Sequence, residues 1–119
     1  MKLVFLTIDC LRYDLLSKKD MPFLYSMAKK GVSCTNFYSN APFTPTSSIS
    51  IFTSKYPLER KKGLPINRSD SFVYVLNKKG YYNIGISSNP YLHRYNNFDS
   101  GFHCFENLIM REEDENVSF

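Results

Sequence analysis

Residues Leu3 to Ile8 are apolar at every position except Thr7, include Val4 and Ile8, and run straight into Asp9. So short and uniform a run fits a strand buried on both faces of a parallel sheet better than an amphipathic element. Parallel strands need crossover connections, and the next stretches read as such. Asp20 is placed to cap a helix with Pro22 in its first turn, an inner face of Phe23, Leu24, Met27 and Ala28, and Gly31 as its stop. Val32 to Tyr38 reads as a second strand, and the loop after it holds Pro42 and Pro45, which exclude regular structure there.

From about Ser47 to Thr53 the residues Ile49, Ile51 and Phe52 predict a short buried helix. Tyr56 to Arg68 reads as a long basic loop containing Pro57, Gly63 and Pro65. Ser69 or Asp70 then caps a third helix with Phe72, Val73, Val75 and Leu76 inward, Lys78 and Lys79 at its negative end, and Gly80 as its stop. Tyr81 to Ser87 returns as a strand and runs into Asn89 and Pro90. The aromatics Phe98, Phe102 and Phe105 around Gly101 read as a loop packed on a neighbouring surface. This order predicts an α/β fold with a mostly parallel sheet flanked by helices. Sites in such sheets lie beyond the carboxyl ends of the strands, and Asp9, Thr44 and Asn89 each follow an expected strand end.

The chemistry of those positions is that of an ester site. A carboxylate at a strand end can hold a divalent ion, and a hydroxyl at a helix N-terminus can attack an ester whose anionic oxygens face the helix amides. Each residue also has a plainer reading. Asp9 can cap its own turn. Thr44 can be a helix cap, a role open equally to Thr46 and Ser47. Asn89 can serve only the turn that precedes Pro90. Asp14 reads as a partner of Arg12, Lys55 as an ordinary lysine at a helix end, and His93 and His103 as surface groups.

Charge and cysteine usage exclude several classes. The net charge is +4, and the tail 111–119, at −3, leaves +7 on residues 1–110. That surplus sits in scattered lysine pairs beside turns, as solvated surface lysine does, and the aromatics are not interleaved with basic residues as nucleic acid stacking requires. Cys10, Cys34 and Cys104 are odd in number and lack metal-site spacing, which suggests reduced thiols in a cytoplasmic protein. The N-terminal apolar run is too short for a leader and meets charge at Asp9 and Arg12, and no stretch approaches the ~20 apolar residues of a membrane span. Residues 1–110 are expected to form one partial domain, followed by the acidic tail 111–119.

Several motifs in order resemble the sulfatase family of the alkaline phosphatase superfamily. Asp9, followed by Leu11, Arg12 and Asp14, looks like that family's first metal-ligand motif. Thr53, Ser54, Lys55, Tyr56 and Pro57 look like the Thr-Gly-x-Tyr-Pro that closes its nucleophile helix, and the family's spacing counted back from Thr53 falls on Thr44. Gly80 with Tyr81, the run Ser88 to Leu92, and the run Phe98 to Phe102 are also similar. The resemblance spans about residues 3–107, only the N-terminal part of the family's domain, whose remaining ligands lie in its second half. It implies a metal-dependent hydrolase of sulfate or phosphate esters, with Asp9 as ligand, Thr44 as nucleophile and metal contact, and Asn89 as a donor to the substrate.

The departures redirect the chemistry. A formylglycine sulfatase needs Cys or Ser where Thr44 stands; proline is displaced to Pro45, Ser48 occupies the arginine position, and Cys34 lies ten residues too early to substitute. Cys10 stands where many sulfatases have a second aspartate, and Ser88 and Pro90 replace a Lys-x-His pair. A threonine nucleophile, as in the superfamily's phosphodiesterase relatives, fits better. The ion expected is Ca, Mg, Mn or Zn, which one carboxylate does not distinguish. The expected partners are an anionic ester substrate and a second copy or complementing chain, with no nucleic acid and no membrane. The rival expectation is a non-catalytic truncated domain serving as an interaction or oligomerisation module, since a truncated sheet exposes edges and apolar surface.

Overall fold

The computed structural model describes residues 1–57 and 66–109. Most of the expected basic loop and the whole acidic tail lie outside the described residues. The chain divides into two compact units, residues 1–38 and 39–119.

In the first unit, helix α1 spans Pro22–Lys30, and the amide of Gly31 bonds the carbonyl of Met27 at its end. Proline suits the start because its missing N–H falls where no intrahelical partner exists. Asp20 does not cap this helix as expected. Its carboxylate accepts from the Ser17 hydroxyl at 2.6 Å, and its own amide donates back to that hydroxyl, closing a turn upstream of α1. The expected inner face is only partly covered: Leu24 and Ala28 are half-buried, whereas Phe23 and Met27 are exposed. Residues 3–8 and 32–38 belong to no strand, which corrects two expectations. Composition specifies what a run can bury, and a strand exists only where a ladder forms; Val4 and Leu6 remain 89% and 68% exposed.

The second unit holds the core. Helix α2 spans Thr44–Thr53, beginning three residues before the expected start, and helix α3 spans Phe72–Lys78. The cap of α3 is Ser71, whose hydroxyl accepts from the Val73 amide, while Arg68–Asp70 make a separate 3-10 turn. Strand β1, Ile84–Ser87, falls within the expected 81–87 run. It pairs in parallel with β2, Cys104–Asn107, in the register Ile84 to Cys104 and Ser87 to Asn107. The β2 segment was expected as loop. Among the described residues the α/β class therefore stands in coarse form, helices with a small parallel sheet, and the larger flanked sheet does not appear.

Ile49 of α2, Ile66 and Phe98 form the buried centre, with Phe52 and Leu92 packed against it. The Phe52 ring meets Phe98 edge-on with centroids 5.2 Å apart. Two glycines set how closely the pieces approach. At Gly85 of β1 an added Cβ would lie 2.8 Å from the rings of both Phe102 and Phe105. At Gly101, with φ of +91°, an added Cβ would overlap the backbone of Val73 and Tyr74 in α3. Ser54 presents the opposite case, a non-glycine in the left-handed region, φ +55°, at the end of α2.

The two positions predict shifts of opposite sign in urea unfolding of the full chain. Gly101→Ala adds both left-handed strain and overlap and should cost about 2 kcal/mol or more. Ser54→Gly relieves left-handed strain and should raise the midpoint, by up to about 1 kcal/mol after the added chain entropy. An unchanged midpoint for Gly101→Ala would show that α3 and residues 98–101 are not packed as described.

Candidate functional site

Asp9 ends the extended N-terminal run in the first unit. Its Oδ1 accepts the amide of Cys10 at 3.0 Å, and Cys10 takes a left-handed conformation, φ +57°, so the chain turns sharply behind the carboxylate. This is the turn-capping geometry of the plainer reading. The same Oδ1 also accepts the Cys10 thiol at 3.8 Å. Asp14 is held by Arg12 through paired contacts of 2.7 and 2.9 Å, as expected.

Thr44 and Asn89 belong to the second unit. Phe43 is the N-cap of α2 and offers no side-chain cap, so the first turn is secured by other groups. The Thr46 hydroxyl donates to the Phe43 carbonyl at 2.8 Å, and the Ser47 hydroxyl pairs with Ser39 at 2.9 Å. Thr44, the first helical residue, is half-buried, and its hydroxyl makes no hydrogen bond among the described residues. The sequence left Thr44, Thr46 and Ser47 equivalent as caps. In the structure the latter two are committed to the turn, and Thr44 is not.

Asn89 follows β1 by two residues. Its side-chain oxygen accepts the Tyr91 amide at 2.9 Å, and its backbone carbonyl accepts Asn107 Nδ2 at 2.9 Å. The oxygen thus serves the turn, and the amide nitrogen is the end with donor chemistry. The Phe43 and Tyr91 rings meet edge-on at 5.6 Å, which brings the entry to α2 and the turn after Asn89 to one region of the second unit. Sequence reasoning missed Phe43, Tyr91, Ser39 and Asn107. None sits in a spacing pattern, and only three-dimensional contact reveals them.

The flanking charged groups are accounted for. Lys55 forms a 2.8 Å ion pair with Asp70. His103 is exposed and stacks on Tyr82 with centroids 4.4 Å apart. His93 departs from the expected surface role: it is 9% exposed, and its Nδ1 accepts the Tyr95 amide at the start of the 3-10 turn Arg94–Asn96. Among the described residues no three or more His, Cys, Asp or Glu side chains group together in a way that could hold a metal ion. The donor set of the described residues therefore does not fit a complete metal centre. Cys10, Cys34 and Cys104 are exposed free thiols. Among the described residues no helix is long and apolar enough to cross a membrane.

Comparison with known proteins gives one family. Searches of curated proteins and of solved structures return no match. The match that exists covers Asp9, Thr44 and the segment that closes α2, and leaves Asn89 outside it. Residues 3–61 match the family model of type I phosphodiesterases and nucleotide pyrophosphatases, a family of the alkaline phosphatase superfamily, which suggests a relation to phosphoester hydrolases.

Proposed function

We propose that the chain carries the nucleophile turn of a phosphoric ester hydrolase, with Thr44 as nucleophile. The observation that carries this reading is the uncommitted Thr44 hydroxyl at the first residue of α2, beside two hydroxyls that hold the turn. The helix supplies the rest of the local chemistry. The amides of its first turn point out of the helix, and the helix dipole makes that end attractive to phosphoryl oxygens.

In the step proposed, Thr44 Oγ1 forms a bond to phosphorus in line with the bond to the leaving alcohol, which departs with its electron pair and takes a proton. Water then attacks the phosphothreonine, and the threonine hydroxyl is restored. The Asn89 amide is proposed to donate to a phosphoryl oxygen. The matched family favours phosphate over sulfate as the ester, and the absence of a formylglycine motif points the same way. Asp9 is proposed as a ligand of a divalent ion, through the carboxylate at the end of the N-terminal run.

A second reading has its own observation. Val32 and Phe37 of the first unit are 93% and 84% exposed, and Ile84 and Ile86 of β1 are 63% and 69% exposed. Apolar surface on this scale is what an interaction or oligomerisation module presents.

Three measurements separate these readings. With bis(p-nitrophenyl) phosphate and added Mn²⁺, the full chain should release nitrophenol, Thr44→Ala should abolish it, and Thr46→Ala should retain most of it; equal rates for Thr44→Ala and the parent chain would remove the nucleophile. In calorimetric titration with Mn²⁺, Asp9→Asn should weaken binding by about tenfold or more, and equal affinity would remove Asp9 as a ligand. In sedimentation equilibrium the interaction module predicts a mass that rises above 13.9 kDa with concentration. A constant 13.9 kDa without turnover would leave neither hydrolase nor self-association standing.

A further inference from the structure

The loop entering α2 is held by a hydroxyl five residues before Thr44. Ser39 Oγ lies 2.6 Å from the Ala41 carbonyl oxygen and 2.9 Å from Ser47 Oγ. A serine hydroxyl has one proton, and a carbonyl can only accept, so the shorter contact takes the proton of Ser39. Ser47 is then the donor in the hydroxyl pair. The Ser47 amide donates to the Phe43 carbonyl at 2.9 Å, and the Thr46 hydroxyl donates to the same carbonyl. The peptides leading to Thr44 are therefore fixed at the Ala41 and Phe43 carbonyls, and the Phe43 ring is braced by Tyr91.

We propose that Ser39 is a positioning residue for the Thr44 hydroxyl, acting through Ser47 and the Ala41 carbonyl. The proposal rests on Thr44 being the nucleophile. Phe43 cannot cap α2, so a distant serine takes up the task of fixing the first turn. Without Ser39 the Ser47 hydroxyl is released to rotate, and the Ala41 carbonyl loses its side-chain tie, with only Thr46 still holding the Phe43 carbonyl through a side chain. An in-line attack tolerates little displacement of the attacking oxygen, so the loss should appear in the chemical step more than in binding.

The test compares Ser39→Ala and Ser39→Thr with the parent chain on bis(p-nitrophenyl) phosphate, with hydrogen exchange measured on the same samples. Ser39→Ala should lower kcat about 10- to 100-fold with KM nearly unchanged, and Ser39→Thr, which keeps the hydroxyl, should restore most of it. The amides of residues 46–48 should exchange faster in Ser39→Ala while those of α3 do not. Faster exchange with unchanged kcat would make Ser39 merely structural and overturn the proposal, leaving Thr44 as nucleophile. Absence of turnover in the parent chain, or equal turnover in Thr44→Ala, would overturn the nucleophile reading and this proposal together.

Discussion

The second unit depends on the approach of Gly101 to the first turn of α3. With no side chain at that position, the backbone of residues 98–101 lies directly against Val73 and Tyr74. The Gly101 carbonyl then accepts from Asn77 of α3 at 3.2 Å and from Asn83, just before β1, at 2.9 Å. Asn83 also donates to the Val73 carbonyl, and its own carbonyl accepts the His103 amide, which leads into β2. One bare backbone position thus joins a helix end, the start of β1 and the start of β2. Larger side chains would hold these three apart, and the asparagines could not reach a common acceptor.

Phe98 turns the same contact into a core. It is 1% exposed and meets Ile49 and Ile66, so α2 is seated on the loop that Gly101 pins to α3. Residues near this loop reinforce its return path: Asn97 donates to the Ile66 carbonyl at 2.8 Å, and Ile66 donates to the Asn96 carbonyl. The parallel pairing of β1 and β2 is reached through a connection, residues 88–103, that contains a 3-10 turn and no α-helix. A polar network replaces the packing a crossover helix would provide. Asn107 at the end of β2 carries part of it, bonding the carbonyls of Asn89 and Leu92.

Local signals in the sequence were legible where the interaction is local. Pro22 with Gly31, and Gly80 after Lys78, marked the ends of α1 and α3 correctly, because prolines and glycines act on their own backbone. The apolar residues Ile49, Ile51 and Phe52 marked α2 from about Ser47 to Thr53, without its first three residues. What was not legible depends on distant partners. The apolar run 3–8 and the run 32–38 carried strand composition without specifying a neighbour, and β2 looked like loop because Cys104, Glu106 and Asn107 have little strand character. The caps were misassigned for a related reason. Several Ser, Thr and Asp residues near each helix start were chemically able to cap, and only the fold selected Ser71 and gave Asp20 to Ser17.

The same selection separates the hydroxyls at α2. By residue type Thr44, Thr46 and Ser47 are interchangeable, and a helix start normally consumes one of them on its own amides. Here Phe43 occupies the cap position, so the turn is closed by Thr46 on a carbonyl and by Ser47 on a serine outside the helix. Pro45, buried and without an N–H, removes one amide that would otherwise compete for a hydroxyl in this turn. The helix thereby retains a positively polarised end with a hydroxyl beside it that makes no hydrogen bond among the described residues. Thr44 is that hydroxyl, and it stands at the end of α2 whose local field favours an anion.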